Sequence, residues 1–233
     1  MENNFKTLIN YGYVPKDKNN FYDKELFNGN SWSYSILKKI KIWYGTPKSQ
    51  ENEKAVLGIQ ASYLNLSTGK LIESENHCGD LSSSDVTTSE LALDEGDYFS
   101  KFNICCDMSI TYLKFTSIKG KVLEVGEMKA EFNKTISFNN NENNPVMLGV
   151  FSGCYNQSGL KSLGMKYIEK KKFFYLIFMG ILRLRHLFKN NQDAKAKWID
   201  KSQQKTLEYK YEVLCKMCLL PDNQFYKIIK YVI

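Results

Sequence analysis

Ile36-Leu-Lys-Lys-Ile-Lys-Ile-Trp-Tyr-Gly45 decides the fold class. Ile36, Lys38, Ile40 and Ile42 alternate with Leu37, Lys39, Lys41 and Trp43, a rough period of two on a β-branched background, and glycine closes the run. That is a strand. Working outward, Val56–Leu66, Phe99–Asp107, Ile110–Ile118, Lys121–Val125 and Val146–Phe151 read the same way, and between Ser33 and about Ile168 no window keeps a long 3.6-residue period. Gly45, Gly58, Gly69, Gly79, Gly96, Gly120, Gly126, Gly149, Gly153, Gly159 and Gly164 mark turns or close backbone approaches. Short strands punctuated in this way predict an all-β sandwich, barrel or prism of antiparallel sheets. The polar run Asn139–Asn144 before Pro145 reads as a surface loop.

After Lys170 the period changes. Phe173, Phe174, Ile177, Ile181, Leu184 and Phe188 fall at helical spacing, with Lys170, Arg183, Arg185 and Lys189 flanking or interrupting the apolar surface. The apolar core from Phe173 to Leu182 is about half the length that a bilayer requires, so no membrane span is expected. A second helical stretch is predicted from Asp193 to Leu219, closed by Pro221, and a third, capped by Asp222, contains Phe225, Ile228, Ile229 and Val232.

Charge divides at the same place. Residues 1–165 carry 17 Lys+Arg against 19 Asp+Glu, whereas residues 166–233 carry 15 against 6, within a chain of 233 residues and net charge +7. A basic surplus confined to one apolar tail fits a docking arm or a solvated helix face. The stretch Met1–Asn20 lacks a continuous apolar run, and two of the six cysteines, Cys105 and Cys106, are adjacent. An intracellular protein with reduced thiols is therefore expected, and the acceptor triplets at Asn65, Asn133 and Asn156 read as incidental.

Taken in order, five segments resemble the jacalin-related lectins. They are Ile36–Gly45; Val56-Leu-Gly-Ile-Gln-Ala-Ser-Tyr63; His77-Cys-Gly79, where that family often has His-Gly-Gly; Ile110-Thr-Tyr-Leu-Lys-Phe115 with Lys119-Gly-Lys121; and Leu148–Gly153 through Ser158-Gly-Leu-Lys-Ser-Leu-Gly164. The last is similar to the family's final hairpin, and there the likeness is sharpest. The resemblance implies a β-prism of three four-stranded antiparallel sheets over residues 21–168, leaving residues 1–20 as an N-terminal arm and 169–233 as a helical extension. It also implies mannose or galactose binding at one end of the prism, without metal or catalysis.

In that family a Gly-x-x-x-Asp loop grips the sugar, its carboxylate accepting hydrogen bonds from adjacent hydroxyls. The matching residues here are Gln157, Ser158, Gly159, Leu160 and Lys161. Gln157 replaces the glycine, though Gly159 offers a shifted one, and Lys161 replaces the aspartate with three donors and no acceptor. The family's glycine pair near the first strand is sought in Lys24–Asn30, where only Gly29 stands.

Other chemistry is thin. His77 and His186 are the only histidines and lack evident catalytic partners, and Asp80, Asp85, Asp94, Glu95 and Asp97 read as an exposed loop and strand edge. Gly149-Val-Phe-Ser-Gly153 puts serine one place too late for a nucleophile elbow. Cys215-x-x-Cys218 has no second ligand pair for zinc, so no cofactor or metal is expected. The expectation is a non-catalytic jacalin-like module serving as an interaction or structural subunit of a larger assembly. It would dock to a protein partner through Phe173, Phe174, Ile177, Ile181, Arg183, Arg185 and Trp198. Carbohydrate binding is the alternative. An anionic membrane surface or RNA, reached through the basic tail, follows behind.

Overall fold

The computed structural model describes residues 6–7, 11–27, 32, 35–48, 53–65, 70–128, 133–136, 146–193, 218, 220–221 and 224–225. The chain divides into two compact units, Met1–Glu169 and Lys170–Ile233. The first is built from strands: β1 (Lys6–Thr7), β2 (Tyr11–Gly12), β3 (Asn19–Tyr22), β4 (Ser35–Gly45), β5 (Ala55–Asn65), β6 (Leu71–Glu73), β7 (His77–Cys78) and β8 (Thr87–Ala92). Then come β9 (Phe99–Cys106), β10 (Ile110–Ser117), β11 (Val122–Gly126), β12 (Asn133–Ile136), β13 (Val146–Asn156) and β14 (Gly159–Glu169). A 3-10 turn, Asp23–Leu26, follows β3.

These strands make three antiparallel sheets with one recurring order. Each has a central hairpin: β4–β5, β9–β10 or β13–β14. In the second sheet the strand after the hairpin, β11, pairs with β10, and the next, β12, pairs with β9. In the first, β6 and β7 share the edge of β5, and β8 returns to β4. The third sheet has no strands left after β14, and the start of the chain supplies them: β1 and β2 lie on β14, and β3 lies on β13. The expected three four-stranded sheets are therefore present, with the edge position of two sheets split into short pieces. Residues 1–20, set apart as an arm on sequence, hold β1, β2 and the start of β3 and complete the third sheet.

Inward-facing side chains of all three sheets form one core. Tyr63 from the first sheet, Phe115 from the second and Phe151 from the third meet there, with Phe151 centred 6.4 Å from Tyr63 and 5.9 Å from Phe115. Phe99 and Phe102 pack on Phe115 at 5.9 and 4.8 Å. Tilted and edge-on pairs of this kind add about 0.5–1.5 kcal/mol each beyond the area they bury. Register shifts in β4–β5 at Leu37/Lys39 and in β13–β14 at Leu148/Phe151 bend the long hairpins locally.

The second unit contains the predicted helix, α1 (Lys170–Asn190). Its Ile181, Arg185 and Phe188 are buried. Arg185 Nη1 donates to the carbonyl of Cys218 at 3.3 Å, and its guanidinium lies 4.1 Å from the ring of Phe225, on which Phe178 also stacks. The helices expected over 193–219 and after Asp222 lie almost wholly outside the described residues, as does the loop Asn139–Asn144. Among the described residues no helix is long and apolar enough to cross a membrane.

Candidate functional site

The final hairpin closes tightly. Asn156 pairs with Gly159 across a two-residue turn of Gln157 and Ser158, and Asn156 Oδ1 accepts from Ser158 N–H at 3.0 Å. Gly159 has φ +105°, and a Cβ there would lie 2.6 Å from the carbonyl oxygen of Val56, so only glycine fits without strain. Of the five residues matched to the sugar loop, Gln157 is exposed and Ser158 half-buried, while Leu160 and Lys161 face inward at 0% and 5% exposure.

Lys161 is not a surface donor. Its ammonium donates to Ser109 Oγ at 2.6 Å, burial pushes its pKa down, and the charge of Asp17 opposes that shift. It ties the last hairpin to the tip of β9–β10. The loop that sequence matching assigned to sugar therefore contains one anchored cation and no carboxylate.

Two neighbouring segments complete this end of the prism. β2 lies beside β14, with Gly12 opposite Ser162, and β3 lies beside β13, with Asn19 opposite Tyr155. Tyr13–Lys18 must therefore cross from one flank of the hairpin to the other around its tip, as a strap. At its root Gly12 has φ +134°, and a Cβ would meet Lys161 O at 2.2 Å. Of Lys24–Asn30, searched on sequence for the glycine pair, Lys24–Leu26 form the 3-10 turn and residues 28–30 lie outside the described residues.

The second segment is Asp107-Met108-Ser109, the tip of β9–β10. One thiol joins it to the last hairpin: Cys106 Sγ reaches Asp107 O at 3.4 Å and Lys161 O at 3.6 Å. Cys154 Sγ lies 4.0 Å from Tyr13 O. Burial pushes the Cys106 thiol up, so it serves as a neutral packing group. Tyr13, Val14 and Met108 are exposed at 51%, 51% and 63%.

A third loop, Gly79–Asp85, borders the turn through Asp80 N–H donating to Gln157 O at 3.1 Å. Its carboxylates are already engaged. Asp80 accepts from Ser82 and pairs with Lys48 at 3.4 Å. Asp85 accepts from Thr46 Oγ1 and Ser83 Oγ, both at 2.7 Å, and from Thr46 N–H, which together hold its carboxyl down at about 2. Asp97, expected in an exposed loop, is buried on Ser117 Oγ at 2.9 Å.

Sequence reading gave His77 no partner, yet it has one. Asp23 is buried, and its Oδ1 lies 2.6 Å from His77 Nε2 while its Oδ2 accepts from Tyr63 OH. Tyr63 OH in turn accepts from Phe151 N–H at 3.1 Å, and Phe21 stacks on the imidazole at 3.9 Å. Burial, then the charge of Asp23, pushes the Tyr63 phenol well above its usual range. This is an internal joint between the segment after β3, β5, β7 and β13.

Of the expected docking residues, Arg183 is exposed, Ile181 and Arg185 are buried, and Phe173, Phe174 and Ile177 lie in α1. Trp198 is outside the described residues, as is Cys215, whereas Cys218 is buried. Among the described residues no cluster of three or more His, Cys, Asp or Glu could hold a metal.

No protein-family model and no curated protein matches the chain. Solved structures do. A mannose-binding jacalin-related lectin from Ananas comosus aligns at TM-score 0.51 and 13% identity, covering 71% of this chain and 99% of that one. A mannose-specific jacalin-related lectin from Morus nigra, solved in complex with mannose, gives 0.52 and 13%, covering 70% and 94%. A mannose-binding lectin from champedak gives 0.51 and 14%, covering 72% and 99%. What is shared at such identity is the backbone, and with three Greek-key sheets around one core this chain has the jacalin-like β-prism fold.

Proposed function

We propose that the chain is a non-catalytic carbohydrate-binding module, working in a reducing compartment and recognising its ligand at the hairpin-tip end of the prism. The observation that carries this reading is the composition of that end. Strap, β9–β10 tip and final turn expose apolar side chains, Tyr13 and Met108, as well as the carboxylates Asp17 and Asp107 and the amide of Gln157. A sugar presents C–H faces and hydroxyls together, so it needs both kinds of partner. The mannose-binding proteins that share the fold add weight. Asp23 and His77 are engaged with Tyr63 and Phe21 in a buried joint, which fits a structural use of the pair.

A glycan array probed with the full-length protein tests the reading. Binding to mannose- or galactose-terminated glycans with micromolar to millimolar affinity supports it, and silence across the array rejects it.

A second reading gives the tail a protein partner. Leu187, exposed at 46%, stands among exposed Arg183, His186 and Lys189 on α1. Ile181 and Arg185, expected in the docking face, are buried, and Arg183 is exposed. Deleting residues 169–233 without losing co-purifying proteins would reject a docking role for the tail.

A further inference from the structure

We draw no further inference here: the strongest candidate, the Ser109–Lys161 hydrogen bond of 2.6 Å between the β9–β10 tip and the final hairpin, joins two side chains only 4% and 5% exposed and belongs to the hairpin-tip end already described.

Discussion

Replacing His77 by alanine removes one side of the buried joint and leaves the Asp23 carboxylate with Tyr63 OH alone. The two side chains are 12% and 1% exposed, so water cannot take the place of the imidazole at low cost. Leaving a buried polar group without its hydrogen-bond partner typically costs about 1–3 kcal/mol, and the ring stacked on Phe21 adds about 0.5–1.5 kcal/mol. Together the two effects give an expected loss of about 3 kcal/mol. For a unit of this size that lowers the melting temperature by about 6–12 °C, measurable in the strand band of far-UV circular dichroism. In an Asp23→Asn background no charge is stranded, and the same change should cost only about 1 kcal/mol, a coupling of about 2 kcal/mol. A drop below about 2 °C for His77→Ala, or an equal loss in both backgrounds, would refute the joint.

Three further outcomes follow from the geometry. Gly159→Ala forces a Cβ to 2.6 Å from Val56 O at φ +105°, and should destabilise the β-unit by about 1–3 kcal/mol in urea; no change in midpoint would mean the turn is not built as described. Asp85 has a folded-state pKa of about 2 against an ordinary 3.8, so its contribution is present above 3.8 and is lost as pH falls toward 2. The stability gap between wild type and Asp85→Asn should therefore be open at neutral pH and close across that window, whereas a gap that widens in acid has the wrong sign. Phe225→Ala removes a fully buried ring from Arg185 and Phe178, and amide exchange within α1 should quicken at least tenfold, about 1.4 kcal/mol; unchanged exchange would show that the ring does not hold the helix.

The central hairpins were legible because their signals are local. Ile36–Gly45 alternates over ten residues, and it became one arm of β4–β5 with Gly45 at its end. β1, β2 and β3 were not legible, since strands of two to four residues carry no period, and β3 pairs with β13 more than a hundred residues later. Tyr13–Lys18 link two strands that flank the final hairpin, β2 on β14 and β3 on β13, a placement no local pattern reveals.

Residue type alone also misled at two cations. Lys161 was rightly seen as unable to accept from a sugar, but nothing in the sequence told that it points inward onto Ser109. Arg185, expected in the docking face, is buried with its guanidinium over Phe225. The Asp23–His77 joint links residues 54 positions apart, a separation that no motif spans.

Chemical-shift mapping of the full-length protein, titrated with the best-binding glycan of the array, bears most directly on the claim that this β-prism reads carbohydrate at its hairpin-tip end. The expected result is saturable shifts concentrated at Tyr13–Lys18, Asp107–Ser109 and Asn156–Lys161. Shifts confined to another part of the prism or to α1, or no saturable shift at all, would contradict it.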